Sequence, residues 1–372
     1  MSMKVLITGA DGFVGRNLVA HLNEMPDIEV VKFGRGDDVS SLHTQLPQLD
    51  FIFHLAGVNR PLCQSDFTAG NVDLTASLCE AVSTVKRDIP ILYTSSTQAC
   101  LDNAYGISKN KAEEVLATHA RETQSTVFIY RLPNVFGKWS RPNYNSAIAT
   151  FCHNIARDLP ITVNDPGATL DLVYIDDVVE AFVGVMRSTV KGLHQLSIDT
   201  RYKTTVGAVA EQIQAFKDSR ENLITEKVGT GLCRALYSTY LSFIPTDKFS
   251  YGVPKYEDPR GAFVEVLKTK DSGQFSYFTA HPGIVRGGHY HHSKTEKFLV
   301  VRGQACFRFR HIVTNEYYEL FTDGAVPQIV ETVPGWTHDI VNIGPEEMLV
   351  MLWANEIFDR SRPDTFASKT II

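Results

Sequence analysis

The sequence has no C-x-x-C pair, no long apolar run and no excess of basic charge, and each absence removes a class of protein. Its six cysteines (Cys63, Cys79, Cys100, Cys152, Cys233 and Cys306) are scattered through 372 residues. Such spacing suits reduced, buried thiols rather than a redox motif or a disulfide-stapled secreted domain. The longest apolar stretches, such as Val5–Thr8 and Phe51–Val58, are strand-sized and fall far short of a membrane span. Met1–Thr8 has neither a basic start nor an apolar core with a cleavage site, so no signal peptide is expected. A formal net charge of -6 gives no electrostatic reason to expect nucleic acid or an anionic membrane as partner. No internal repeat or low-complexity segment is visible. The expected compartment is the cytoplasm.

What is present fits a soluble chain too long for one ordinary core. Hydrophobic residues make up 44% and charged residues 21%, a globular rather than a disordered balance. Over the first two-thirds, short β-branched runs alternate with longer amphipathic stretches. Lys4–Thr8, Glu29–Phe33, Phe51–Leu55, Ile91–Thr94 and Val127–Arg131 read as strands. Val14–Asn23, Leu74–Lys86 and Lys109–Glu122 read as the helices between them. That alternation predicts an α/β doubly wound parallel sheet covered by helices on both faces. After about Phe243 the helical period disappears and Pro245, Pro254 and Pro259 punctuate the chain. Strand-like runs follow at Ala262–Lys268, Phe275–Ala280, Glu296–Arg302, Ala305–His311, Tyr317–Phe321 and Glu347–Trp353. Many short strands without a helix predict a sandwich or barrel. The reading is therefore two domains, 1–245 and 246–372.

Two groups of residues in the first part carry chemistry. Thr8-Gly9-Ala10-Asp11-Gly12-Phe13-Val14-Gly15 lies between the first strand and the first helix. Glycines there permit a tight turn and let the backbone approach a pyrophosphate at the positive end of a helix. A Gly-rich turn alone can reflect a positive φ and nothing more. Tyr105 and Lys109 stand i, i+4, on one helix face, where an ammonium would lower the phenol's pKa. Thr94-Ser95-Ser96-Thr97 ends the preceding strand and offers hydroxyls to a substrate carbonyl; Ser96 is preferred, with Ser95 and Thr97 open. Its plainer reading is a turn or cap.

In order along the chain, these motifs resemble the extended short-chain dehydrogenase/reductases that modify nucleotide sugars. T-G-x-x-G-F-x-G matches 8–15, and H-L-A-G matches His54-Leu55-Ala56-Gly57. Asn71-Val72, Tyr105-x-x-x-Lys109, the segment Arg131–Gly137 and Tyr174–Val178 match the family's later motifs. The resemblance implies an NAD(P)-binding Rossmann domain with Tyr105 as proton donor to a ketone. Lys109 would hold the ribose and tune Tyr105, and Ser96 would orient the carbonyl. Cofactor contacts would come from Gly9, Gly12, Phe13, Val14, Gly15, Leu55, Ala56, Gly57, Lys109 and Pro133, and substrate contacts from Asn134, Asn143 and Asn145. Only eight residues separate Ser96 from Tyr105, fewer than the family usually has, which suggests a more open pocket. The second strand runs into Phe33-Gly34-Arg35 with no carboxylate at its end. Arg35 could pair with a 2′-phosphate, with Asp38 and Val39 against the adenine, so NADPH is the expected coenzyme.

The second part carries Gly283-x5-His289-x-His291-x4-Glu296-x6-Gly303, and later Pro334-Gly335-x2-His338-x3-Asn342. Three imidazoles and one carboxylate suit a divalent transition metal with a position left for a substrate oxygen. The two segments resemble the cupin motifs, the second with Pro334 and Gly335 adjacent rather than spaced by one. This implies an all-β cupin (jelly-roll) barrel in which His289, His291, Glu296 and His338 bind one metal, zinc being expected. A reductase followed by a cupin resembles the bifunctional capsular-polysaccharide enzymes of the UDP-N-acetyl-L-fucosamine pathway across nearly the whole chain. That resemblance implies a UDP-sugar substrate. The cupin would invert C3 of a UDP-2-acetamido-2,6-dideoxy-4-hexulose and the reductase would reduce C4, giving the L-talose product. It leaves open the C3 base (His292, Tyr277, Lys294 or His338). A homodimer is expected. The rival reading is a plain sugar reductase whose cupin serves only to dimerise.

Overall fold

The computed structural model describes residues 2–34, 36–37, 42, 44–61, 63–85, 87–361 and 363–371. The chain divides into two compact units, Met1–Ile213 with Arg234–Ile244, and Gln214–Cys233 with Pro245–Ile372.

The first unit is built on a six-stranded parallel sheet. Its order is Ile28–Phe33, Met3–Thr8, Phe51–His54, Ile91–Ser96, Val127–Leu132 and Leu193–Leu196. Both faces of the strands are apolar because both are covered. Leu6, Ile52, Ile91, Tyr93, Val127 and Ile129 form one core with Leu78, Val82, Ala112 and Leu116 of two helices. The alternate residues Phe53 and Tyr130 point the other way and meet Phe182, with ring centroids 6.3 and 5.1 Å apart. Burying each such aromatic side chain stabilises the fold by roughly 1.5–3 kcal/mol. The chain reverses direction across the sheet between Met3–Thr8 and Phe51–His54, and the crevice at such a switch point is where α/β sheets bind ligands. A smaller sheet joins Asn134–Phe136, Thr169–Tyr174 and Tyr202–Thr205.

The sequence places the helix behind Tyr105 at Lys109–Glu122, whereas it runs from Ala104 to Thr123. Asn103 causes the earlier start, its side chain accepting from Gly106 N–H at 2.8 Å as an N-cap. The connection from Ser96 is so short that the helix begins hard against the turn Thr97–Cys100. A Cβ on Gly106 would stand 2.2 Å from the Gln98 carbonyl oxygen, so only glycine fits there.

The second unit is a cupin-type barrel of two packed antiparallel sheets. One includes Gly261–Thr269, Gly273–Ala280, Met348–Ala354, Glu296–Arg302 and Ile329–Glu331. The other runs Tyr317–Asp323, Gln304–His311, Trp336–Asn342, Val285–Tyr290 and Phe366–Ala367. Inward residues of both sheets, among them Phe278, Phe298, Val300, Phe307, Ile340 and Val350, close one core. The short strand Ile224–Thr225 adds in parallel beside Lys268–Thr269, which places Gln214–Cys233 in this unit out of linear order.

Candidate functional sites of the two units

Gly9 and Gly12 lie in the turn that follows the first strand, and Gly15 in the first turn of the helix after it. Gly9 has φ +69°, and a Cβ there would lie 2.8 Å from the Ala56 Cα. A Cβ on Gly15 would lie 2.2 Å from the Gly9 carbonyl oxygen. The turn therefore needs glycine for close packing as well as for its backbone angles. Gly12 is the N-cap of helix Phe13–Asn23, which has no side-chain cap and no acidic residue in its first turn. That leaves a positive helix start suited to a pyrophosphate. Leu55, Ala56 and Gly57 follow the neighbouring strand, and Pro133 follows Val127–Leu132, so all leave the same end of the sheet. Arg35, Asp38 and Val39 lie outside the described residues.

One carboxylate appears where the sequence reading expects none. Asp37 turns back and accepts from Gly34 N–H at 2.7 Å, beside the end of the second strand. It escapes a reading by strand end because it lies beyond a glycine turn.

Next to this turn, His54 is fully enclosed. Its Nδ1 lies 2.8 Å from Thr8 Oγ and its Nε2 2.9 Å from Thr75 Oγ. Thr75 donates to the Asn71 carbonyl, so it accepts from Nε2–H. His54 is thus a neutral Nε2–H tautomer, and burial, aided by Lys109, brings its pKa down to about 3. Asn71 itself bridges Val58 and Ser108. The H-L-A-G and N-V motifs are therefore a hydrogen-bonded frame behind the crevice.

Tyr105, Lys109 and Ser96 meet at the sheet end. Ser96 hydrogen-bonds Tyr105 and accepts from Gln98 N–H at 3.1 Å. Ser95 is committed elsewhere: its hydroxyl donates to buried Glu113, which Arg131 grips through Nε at 3.0 Å and Nη2 at 2.7 Å. Thr97 is exposed in the following turn. Lys109 is buried, and its Nζ donates to the Thr94 carbonyl at 2.9 Å and reaches the Tyr93 hydroxyl at 3.2 Å. Burial lowers its pKa to about 8, opposed by Glu113. The sequence expectation that Lys109 depresses the Tyr105 pKa is not met. Burial pushes the Tyr105 phenol up, with Ser96 opposing it, because the ammonium is turned to Thr94 and Tyr93. The result is a phenol that stays protonated at neutral pH.

Asn134 opens the short strand Asn134–Phe136 and is exposed, as are Asn143 and Asn145. Asn143 has φ +54°, and its N–H donates to Thr150 Oγ at 3.0 Å. Between them Tyr144 donates to Asn59 at 2.9 Å, with the Arg141 and Arg60 guanidinium carbons 5.0 and 5.6 Å from its ring. Arg60 is a cationic group near the expected sugar-nucleotide site that no motif marks.

In the barrel, His289, His291, Glu296 and His338 converge with ligand atoms all within 4.8 Å of one another. Register sets this up, because His289 pairs directly with His338 across two strands. His291 Nε2 and His338 Nε2 lie 3.3 and 3.4 Å from Glu296 Oε2. His291 Nδ1 donates to the Asp364 backbone carbonyl, and His338 Nδ1 lies 3.3 Å from the Trp336 carbonyl. Carbonyls only accept, so both rings are held with Nε2 free to ligate. His338 Nε2 is buried without a hydrogen-bond partner, and burial, with His338 adding to it, lowers the His289 pKa to about 4. Against the burial that would raise it, the Lys294 ammonium 3.0 Å away holds Glu296 well below the usual carboxylate range. Three imidazoles around a carboxylate fit a divalent cation, whose ligands at roughly 2.0–2.2 Å would bring these atoms slightly closer together.

Asp364 is a residue the motifs miss. Its carboxylate accepts from the N–H groups of His292, Ser293 and Lys294 at 2.9, 2.7 and 2.8 Å, pinning the loop between the two halves of the motif. Of the four candidate bases, His338 lines the barrel cavity. Lys294 is paired with Glu296 at 3.0 Å, and exposed His292 packs against Tyr290 and Phe366. Tyr277 does not line the cavity.

Both parts of the chain match known families. Residues 5–198 match the NAD dependent epimerase/dehydratase family. The chain belongs to that family. Residues 256–366 match the polysaccharide biosynthesis C-terminal domain. The chain is 60% identical to the UDP-2-acetamido-2,6-beta-L-arabino-hexul-4-ose reductase of Pseudomonas aeruginosa over 98% of each chain. It is similar to the capsular polysaccharide assembling protein CapF of Staphylococcus aureus, with a TM-score of 0.90 and 41% identity, covering 99% of this chain and 100% of that one. The UDP-glucuronic acid 4-epimerase of Bacillus cereus, solved with NAD, covers 65% of this chain and 98% of its own at 18% identity and TM-score 0.55, a likeness of fold alone. Among the described residues no helix is long and apolar enough to cross a membrane.

Proposed function

We propose that this is a bifunctional nucleotide-sugar enzyme of the cytoplasm, with the 1–245 part as reductase and the 246–372 part as epimerase. Its substrate is a UDP-2-acetamido-2,6-dideoxy-4-hexulose. The barrel inverts C3, and the Rossmann unit reduces the C4 ketone to the UDP-2-acetamido-2,6-dideoxy-L-talose. The observation that carries the reading is the presence, in one chain, of the Ser96–Tyr105 pair beside Lys109 and of the four-ligand cluster in the barrel. The relative named as an L-arabino-hexulose reductase and the structural match to CapF support it.

NADPH, when bound at the Gly9–Gly15 turn, supplies hydride to C4. Tyr105 gives a proton to the C4 oxygen, Ser96 orients that oxygen, and Lys109 holds the ribose. A protonated, buried phenol is the state this donor needs. In the barrel, His289, His291, Glu296 and His338 would hold a divalent metal, zinc being our proposal. When bound it supplies a Lewis acid that makes hydrogen next to the ketone acidic. Asp364 and Trp336 keep the His291 and His338 rings turned for this task. Reduction of C4 then removes the acidifying ketone and ends the inversion. The active form proposed is a homodimer.

The test is incubation with the 4-keto sugar nucleotide and NADPH, with the product identified by NMR. A C4 alcohol inverted at C3 is expected. A C4 alcohol with C3 unchanged would leave a plain reductase with a dimerising barrel.

A further inference from the structure

Arg286 and His289 both line the barrel cavity although they stand three positions apart on one strand. In a regular strand an odd spacing puts two side chains on opposite faces. Here the register against Trp336–Asn342 slips between Gly287 and His289. Gly287 and Gly288 have φ +96° and +83°, the left-handed backbone that such a bulge uses. A Cβ on Gly287 would also stand 3.0 Å from the His338 carbonyl oxygen. The two glycines thus turn Arg286 to the same side as the metal ligands.

The cavity encloses about 180 Å³ and is walled mostly by Phe263, Phe278, Phe298, Phe307, Ile340 and Leu352. That is below the roughly 300–1,000 Å³ of pockets for drug-sized ligands, and suits a sugar ring better than a nucleotide. The polar groups that converge on it include His289, Glu296, His338 and Arg286. Arg286 lies with its guanidinium carbon 5.1 Å from the centre of the Phe278 ring. Among the described residues its guanidinium has one hydrogen bond, a long one from Nη2 to the Ala262 carbonyl at 3.5 Å, and its Nε is buried with no partner. No carboxylate among the described residues pairs with it, and the nearby Asp258 is bonded to Arg260 through both carboxylate oxygens. Leaving a guanidinium half-buried and unpaired is costly, and a cavity ligand bearing negative charge would offset that cost.

We propose that Arg286 binds the ketone oxygen of the sugar in the barrel and holds the negative charge that gathers there during C3 inversion. This rests on the epimerase reading above. In that step the C3–H bond breaks and its proton passes to a base in exchange with solvent. The electron pair forms a C3–C4 double bond while the carbonyl pair moves to oxygen. Protonation of C3 from the other face restores the ketone with inverted configuration, so no oxidant or reductant is consumed. A fixed cation beside the oxygen favours the enolate over the ketone, which appears in kcat rather than in binding. A guanidinium that held the diphosphate instead would act equally on ground and transition states and appear in KM.

The test is deuterium uptake at C3 of the 4-keto sugar nucleotide in D₂O without NADPH, comparing the unmodified protein with Arg286→Gln, Arg286→Lys and Arg286→Ala. We expect kcat for exchange to fall by about 10²–10³-fold in Arg286→Gln with KM little changed, as when an oxyanion donor is lost. Arg286→Lys should recover part of the loss, and added guanidinium ion at non-denaturing concentration should partly rescue Arg286→Ala. Metal content per chain should stay that of the unmodified protein. Undiminished exchange, or a loss confined to KM, overturns the role of Arg286. A loss that neither lysine nor guanidinium relieves, or one accompanied by loss of metal, also overturns it, marking a structural part. No exchange in the unmodified protein overturns the epimerase reading itself.

Discussion

Ser96 and Tyr105 share a hydrogen bond, while Ser95 beside them gives its hydroxyl to Glu113. Both partners stand on the helix Ala104–Thr123, Tyr105 at its start and Glu113 eight residues further on, so the two hydroxyls serve different stretches of one helix. Ser96→Ala should therefore lower the reduction rate by about 10²-fold with little loss of stability. Ser95→Ala should lower Tm, because Glu113 keeps only Arg131 as a buried partner, and should spare the rate per folded molecule. Steady-state kinetics and thermal melts on the two variants check this, and the reverse pattern would reassign the carbonyl contact to Ser95.

Lys109 should give the reduction a basic limb. Burial brings its pKa from 10.5 down to about 8, so its ammonium is lost as pH rises through about 8. Activity should fall above that pH, and Lys109→Met should be slow with the limb absent. Stability moves the other way. Between pH 8 and 10.5 the unfolded chain binds more protons at this lysine than the folded one, so stability from this residue rises with pH. Below pH 8 the full cost of burying the ammonium is present. Denaturant melts across pH 7–10 on both proteins should show a rise in the unmodified chain that Lys109→Met lacks.

Much of both sites could be read from residues because local structure makes the motifs. Gly9, Gly12 and Gly15 are legible since a strand, a turn and a helix follow one another within fifteen residues. His289 and His338 are legible through the spacing of their motifs. Arg286 is not, since strand alternation assigns it the face opposite His289 and only the Gly287–Gly288 bulge reverses that. Asp364 is hidden by distance along the chain, because its partners His292–Lys294 carry no signal for a carboxylate so far away. The early helix start at Ala104 was present in Asn103, a capping residue overshadowed by the Tyr105–Lys109 pair. Strand Trp336–Asn342 is masked by the Pro334-Gly335 turn that opens it.

Coenzyme preference should depend on two residues with opposite effects. Arg35, on the sequence reading, would favour a 2′-phosphate, while the Asp37 carboxylate beside Gly34 would favour a free ribose hydroxyl. Arg35→Ala should weaken NADPH by about 10-fold or more relative to NADH, the size of a lost charge-assisted hydrogen bond. Asp37→Asn should shift the ratio toward NADPH. Equal responses of the two coenzymes to Arg35→Ala would remove it from the 2′-phosphate site.

Purified protein should contain about one divalent transition metal per chain by elemental analysis. His338→Ala should lose it, since this residue brings an otherwise unpartnered buried Nε2 to the cluster. Metal bound only by the folded state adds about 2.7 kcal/mol when free metal exceeds its Kd a hundredfold. A chelator should therefore lower Tm in the unmodified protein and leave His338→Ala unmoved. A metal-free chain with full activity in both reactions would end the metal reading.

The two reactions should separate by mutation, because their residues lie in different compact units and act on different carbons. In the function proposed above, Tyr105 serves the C4 oxygen during reduction and has no part in removing hydrogen from C3. In D₂O without NADPH, Tyr105→Phe should still take deuterium into C3 of the 4-keto sugar. Supplied with NADPH, it should fail to oxidise the coenzyme. His289→Ala should show no exchange, yet reduce normally a substrate already inverted at C3, since His289 lies among the barrel ligands. Losing a positioned acid or base costs about 10²–10⁴-fold, so each defect should stand clear of background. Circular dichroism and melts establish that both variants are folded before rates are compared. Loss of C3 exchange in folded Tyr105→Phe would mean that the Rossmann unit performs both steps, leaving the barrel a dimerising part.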